Sequence, residues 1–204
     1  MSRSLIKFGH LPETRTAFFL CDIQEKFRPA LTHFEQILDT SKKLVQASKI
    51  LKVPLIVTEQ NPKGLGKTVS ELDISHAHGV YSKTKFSMVV PEVASELATL
   101  CGGKLECVVL FGIEAHVCVE HTAAELCSRG LQVHVCADAC TSRSQEDRLL
   151  AFERMRQFGC FITTSEAVIF QLLGDKEHPC FADIRPLIKT ISPYTGLAAN
   201  VSKM

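Results

Sequence analysis

The run Leu105-Glu-Cys-Val-Val-Leu-Phe-Gly-Ile113 is followed by Cys118-Val-Glu-His-Thr-Ala-Ala-Glu-Leu-Cys-Ser128, then by Arg129-Gly130 and Leu131-Gln-Val-His-Val-Cys-Ala137. The first run is apolar almost throughout and rich in β-formers, which predicts a strand buried on both faces. The second has helical spacing, and its basic residue and glycine form a stop signal. Another β-rich run follows at once. A strand, a helix and a strand in this order need a crossover connection, which sets the two strands parallel with the helix across one face of the sheet.

The same alternation extends outward in both directions. Buried strands are predicted over 16–22, 54–59, 105–113, 131–137 and 160–164. A helix is predicted over 34–51, where Phe34, Ile37, Leu38, Leu44, Val45 and Leu51 share one face and Lys42, Lys43 and Lys49 are left for water. Pro91 opens another, with Val93, Ala94, Leu97 and Leu100 on its apolar side. Ser144-Gln-Glu-Asp147 resembles a capping box ahead of a helix over 149–158. The expected fold is three-layer α/β/α with a mainly parallel central sheet, built as a single domain over 1–204. The segment 61–85, punctuated by Gly64, Gly66 and Gly79, has little periodicity and reads as a long loop.

Composition narrows the function. In 204 residues, 46% are apolar and 22% charged, which sets aside disordered and fibrous classes. No apolar run reaches the ~18 residues of a membrane span. The net charge of +1 gives no field to draw in a polyanion, so no nucleic-acid partner is expected. Nine scattered cysteines, an odd number with no secretory segment ahead of them, point to reduced thiols in an intracellular, cytoplasmic protein. The first twelve residues carry Arg3 and Lys7 and no acid; they read as an ordinary terminus in preference to a mitochondrial import segment. The final Ser202-Lys203-Met204 resembles the S-K-L peroxisomal address.

Ligands of open α/β sheets bind beyond the carboxyl ends of the strands. Asp22, Glu59 and Cys118 are therefore expected along one edge of the sheet. A thiol at a helix start meets free backbone N–H groups and the positive end of the helix dipole, which favour the thiolate and can hold an oxyanion. An ionised Asp22 after an apolar strand needs a partner or a task, and Lys83 or Lys85 can supply the cation. Asn61-Pro-Lys-Gly-Leu-Gly66-Lys67-Thr68 ends like a phosphate-binding loop, but Asn61 stands where the first glycine is needed and Pro62 has no N–H to offer. His76, His78, His116, His121, Cys136 and Cys140 lack zinc-site spacing.

Four segments together resemble the isochorismatase-like cysteine hydrolases: Asp22-Ile-Gln24-Glu-Lys-Phe27, Lys83-Thr-Lys-Phe-Ser87, Gly112-Ile-Glu-Ala-His-Val-Cys118-Val and Asp138-Ala-Cys-Thr-Ser142-Arg143-Ser144. Within that family the chain resembles the eukaryotic isochorismatase domain-containing proteins, which share Thr58-Glu-Gln60, Gly64-Leu-Gly66 and the Lys-Thr-x-Phe-Ser-Met-Val run. The resemblance implies a triad in which Asp22 is general base, Lys83 holds it ionised, and Cys118 attacks a carbonyl to form a thioester. It also implies a cis peptide near Ile113-Glu114 that turns backbone N–H groups, with that of Cys118, into an oxyanion hole. Gln24, Phe27, Gln60 and His116 are implied pocket residues.

The departures from the family pattern matter too. Glu59-Gln60-Asn61 replaces the D-x-H metal pattern of nicotinamidases, so no metal and no cofactor is expected. Ala115 and Met88-Val89 replace a common Thr and Ala-Phe. True isochorismatases lack the cysteine, so Cys118 points to hydrolysis of an amide C–N bond in a small molecule over vinyl-ether cleavage. The alternatives are a non-catalytic binding or scaffold protein on this fold, and a thiol redox sensor. Family members commonly assemble, so a homo-oligomer is expected.

Overall fold

The computed structural model describes residues 8–196; Ser202-Lys203-Met204 lies outside them. Six strands form one sheet: β1 (Thr16–Cys21), β2 (Leu55–Gln60), β3 (Gly79–Lys83), β4 (Cys107–Ile113), β5 (Gln132–Thr141) and β6 (Phe161–Thr163). Their order is β3-β2-β1-β4-β5-β6 and every neighbouring pair is parallel. The helices are α1 (Phe34–Leu51), α2 (Pro91–Gly103), α3 (Glu120–Ser128), α4 (Gln145–Gln157), α5 (Ser165–Leu173) and α6 (Phe181–Lys189).

Right-handed crossovers decide where these helices lie. The chain steps outward one way from β1 through α1 to β2. It later returns past β1 and steps the other way through α3 and α4, so α1 covers one face and α2, α3 and α4 the other. Helices α5 and α6 pack on α1. The reversal falls between β1 and β4, which are adjacent in register from Thr16↔Cys107 to Cys21↔Gly112. Open α/β sheets gather ligands at such a switch point, and here its carboxyl edge holds Asp22 on one side and the turn carrying Cys118 on the other.

Apolar runs predict the elements correctly where burial is complete. Every residue of β1 and β4 is buried, and all six apolar positions named for α1 face the core. Ser144 caps α4 by accepting from Asp147 N at 3.1 Å. Four expectations need correction. The segment 61–85 contains the strand β3, at the sheet edge, where only alternate residues are sheltered and no apolar run marks it. Strand β5 continues beyond Ala137 to Thr141 through a bulge, its register jumping from Leu110↔Val135 to Gly112↔Cys140. Strand β6 is half-buried rather than enclosed. Helix α2 leaves helical backbone at Leu100, Cys101 and Gly102, whose glycine-rich sequence admits the left-handed region.

Gly112 lies where β1 and β4 come closest to the site. Its φ is +127°, and a Cβ there would sit 2.1 Å from the Cys21 carbonyl oxygen. Gly112→Ala forces the two central strands apart in a close-packed layer and is expected to cost roughly 2–3 kcal/mol. Thermal unfolding would show this as a fall of roughly 5–10 °C in Tm; a shift under about 1 °C would mean that the strands part freely.

Candidate active site

Asp22 follows β1 in the left-handed region at φ +51°, a conformation aspartate tolerates. That turn aims the carboxylate across the sheet edge toward β2 and β3. Asp22 Oδ2 is 2.6 Å from Lys83 Nζ, with both side chains fully buried. Oδ1 accepts from the Thr58 hydroxyl at 2.8 Å, and the Cys21 thiol donates to Oδ2 at 3.6 Å. Lys83, the last residue of β3, also donates to Gln60 Oε1 at 2.6 Å, Phe86 O at 2.9 Å and Lys85 O at 3.2 Å. Its ammonium is thus surrounded by acceptors, one of them an ion.

Burial alone would pull the Lys83 pKa down, but the charges of Cys21, Asp22 and Cys118 and the hydrogen bond to Asp22 outweigh it and raise it. The Cys21 thiol is driven well above the ordinary range, first by burial and then by its contact with the Cys118 thiol. Cys118 therefore lies within electrostatic reach of Lys83 and against Cys21. Lys85, the alternative cation, pairs instead with Glu125 at 2.7 Å on the partly exposed outer side.

The expected place of Cys118, the first turn of an α-helix, needs correction. It sits in a wider turn, Ala115–Val119, closed by Val119 N donating to Glu114 O at 3.1 Å, and α3 begins only at Glu120. A wide turn and an α turn bury the same apolar positions, so the spacing could not separate them. The Ile113–Glu114 peptide is cis. Thr122 fastens the nucleophile loop to the segment after β3, donating to Cys118 O at 2.6 Å and accepting from Met88 N at 2.9 Å.

Glu59 does not join Asp22 and Cys118. Strand alternation turns it to the face opposite Thr58 and Gln60, where Oε1 accepts from Thr68 N at 2.8 Å and its hydroxyl at 3.0 Å. Gln24 is fully buried, its amide donating to Gln60 O and Gly66 O and accepting from Gln60 N at 2.7 Å. It braces the end of β2 with no hydrogen left to donate to a ligand. Gln60 orients Lys83 with Oε1 and is held by Thr84 O through Nε2. His116 Nδ1 meets Ser142 Oγ at 2.9 Å, tying the Cys118 turn to the end of β5. Phe27 is half-buried against the core on a short helical turn after Gln24. Asp138, quoted in the fourth segment, caps α5 through Ser165 N and Oγ, and burial raises its pKa.

Thr58, Cys21 and Thr122 join the site without having been expected there from sequence. For Thr58 a signal existed, because the parallel register pairs it with Cys21, next to the carboxylate. Among the described residues no group of three His, Cys, Asp or Glu side chains is placed to hold a metal ion. No described helix is long and apolar enough to cross a membrane.

A family model for the isochorismatase domain matches residues 16–167. The chain is 51% identical to isochorismatase domain-containing protein 2 of Bos taurus, covering 93% of this chain and 90% of that one. It is 49% identical to isochorismatase domain-containing protein 1 of Salmo salar, covering 95% and 68% respectively. Among solved structures it is similar to the MAR1 ribonuclease of Caenorhabditis elegans, with 47% identity and a TM-score of 0.87 over 92% of this chain and 96% of that one. The family match runs from the first residue of β1 into α5 and so takes in all six strands together with Asp22, Lys83 and Cys118. On that correspondence the chain belongs to the isochorismatase family and has its hydrolase fold.

Proposed function

We propose that this chain, acting as one domain, hydrolyses the C–N bond of a small amide through a thioester on Cys118, with no metal. The observation that carries this reading is the buried 2.6 Å pair of Lys83 and Asp22 beside the Cys118 thiol. Asp22 takes the thiol proton while Lys83 keeps the carboxylate charged, and the thiolate adds to the carbonyl carbon. The oxyanion is met by backbone N–H groups of the turn that starts at the cis peptide and includes Cys118. The proton passes to the leaving amine, the C–N bond breaks, and water then cleaves the thioester to the acid. Gln60 positions Lys83, and His116 and Phe27 border the entry. Self-association is part of the proposal, supported by apolar side chains exposed on separate helices, Leu150 and Phe170.

The test is a panel of small primary amides, scored for ammonia and for acyl mass on Cys118 after acid quench. One or more amides should yield both products, with the added mass confined to the peptide holding Cys118. Ammonia release without any acyl adduct under single-turnover conditions would overturn the covalent route.

A second reading, RNA cleavage, is favoured by the name of the C. elegans structure, a ribonuclease at 47% identity. The near-neutral charge offers little to a phosphate backbone. Degradation of RNA that disappears in Asp22→Asn would favour it over the amidase reading.

A further inference from the structure

Cys127 and Cys160 are 33 residues apart in sequence, yet their sulfurs lie 3.7 Å from each other. Cys127 is in the last turn of α3 and half-buried; Cys160 precedes β6 and is 6% exposed. Cys160 also lines an open cleft of about 340 Å³ with His134, Arg156, Phe161 and Gln171, so the pair sits close to the surface on both sides. The two thiols lie well away in sequence from Asp22 and Lys83 and play no part in the chemistry of Cys118.

We propose that Cys127 and Cys160 form a reversible oxidation site, closing to a disulfide when the protein meets a hydroperoxide. Cys127, the more exposed of the two thiols, is the attacking one. The hydrogen bond between the two thiols, in which either sulfur can donate, lets one of them stabilise the thiolate of the other, with the pKa of Cys160 raised and that of Cys127 lowered. Burial pushes Cys101, Cys107, Cys136 and Cys140 the other way, Cys107 and Cys140 to about 12. The thiolate, not the thiol, reacts with peroxide.

In the first step the Cys127 thiolate attacks one peroxide oxygen and the O–O bond breaks. The proton released from Cys127 is returned to the leaving oxygen, giving water and a sulfenic acid on Cys127. In the second, Cys160 attacks the sulfenic sulfur, an S–S bond forms, and the hydroxyl leaves with the Cys160 proton as a second water. Two thiols lose two electrons and one peroxide gains them. Closing from 3.7 Å to a bond of about 2.05 Å asks each sulfur to move by less than ~1 Å. The product links the end of α3 to the start of β6, so oxidation should also raise Tm.

The experiment treats the folded wild-type protein with graded hydrogen peroxide, blocks free thiols with iodoacetamide and measures intact mass. Digestion with trypsin and a glutamate-specific protease then isolates Cys127 within residues 126–129, apart from Cys107 and Cys118. The expected first product carries two carbamidomethyl groups fewer than the equally alkylated reduced protein, with residues 126–129 linked to the peptide of Cys160, and dithiothreitol restores both thiols. In Cys160→Ser, dimedone should label Cys127 and no disulfide should form there. Cys127 and Cys160 both remaining alkylatable while other thiols oxidise would overturn the proposal, as would a first disulfide between any other pair.

Discussion

Cys118→Ala is expected to abolish acyl-adduct formation and lower amide turnover by at least ~10³-fold, and Asp22→Asn to lower it by roughly 10²–10⁴-fold. The two losses have different origins. Alanine removes the atom that bonds to the substrate, whereas asparagine keeps the shape of the carboxylate and removes its charge and basicity. The Asp22→Asn change would also set an amide against donors: the Lys83 ammonium at 2.6 Å from Oδ2 and the Thr58 hydroxyl at 2.8 Å from Oδ1. One of those donors must then face another. Lys83 keeps its neutral acceptors on Gln60, Lys85 and Phe86 but loses its counterion, and breaking a fully buried pair on one side costs roughly 3–5 kcal/mol.

Stability and catalysis can be told apart by adding Lys83→Met. Removing the second charge should restore much of the stability lost in Asp22→Asn, because nothing ionic is left stranded. It should not restore turnover. Urea unfolding gives the first quantity. The rate of iodoacetamide reaction at Cys118 gives a substrate-free measure of thiolate formation. Asp22→Asn should change the rate of that reaction near neutral pH, because the carboxylate that faces Lys83 loses its charge and its basicity. Wild-type alkylation and turnover in Asp22→Asn would remove the general-base role, and a double variant no more stable than the single one would overturn the charge-pair argument.

The fold was legible in the sequence wherever one physical effect dominated. Fully buried strands such as β1 and β4 can only be written as apolar runs, and the long amphipathic helix α1 repeats its spacing often enough to fix both ends. Strand β3 is too short and too exposed to carry such a run. It brings Lys83 into register with Gln60, next to Asp22, so the cation of the site rides on the strand that was hardest to see. Strand alternation separates Glu59 from Gln60, but using it requires knowing where β2 ends. The pairing of Cys127 with Cys160 depends on the last turn of α3 meeting the residue just before β6, a tertiary relation absent from local spacing. Arg148, on a helix crowded with charged residues, gave no sign that its guanidinium is buried.

Replacing that arginine is the second large effect expected. Arg148 is fully buried, and its Nε donates to Cys140 O at 2.8 Å, Nη1 to Gln145 Oε1 at 3.1 Å and Thr195 O at 2.7 Å, and Nη2 to Ala137 O at 2.7 Å and Thr195 Oγ1 at 3.2 Å. All five N–H groups are used, and among the described residues no carboxylate is within ion-pair distance. Burial lowers its pKa, opposed by the charges of Cys140 and Asp138. The reason for such a costly placement lies in β5. Ala137 lies in the bulge where pairing with β4 is interrupted and Cys140 is where it resumes, and the arginine fork donates to the carbonyls of both. Beyond the bulge, Ser142 O accepts from Thr32 N and Oγ1, and Ser142 Oγ meets His116 two residues from the nucleophile. Arg148→Met preserves most of the volume but strands the carbonyls of Ala137, Cys140 and Thr195, so a loss of roughly 3–5 kcal/mol is expected in urea unfolding. Arg148→Lys keeps the charge without the fork and should recover only part of it. Hydrogen exchange should quicken across 137–142 in the methionine variant before it does in β1. A methionine variant within about 1 kcal/mol of wild type would mean that water satisfies the bulge, leaving the arginine without a structural role at the site's far wall.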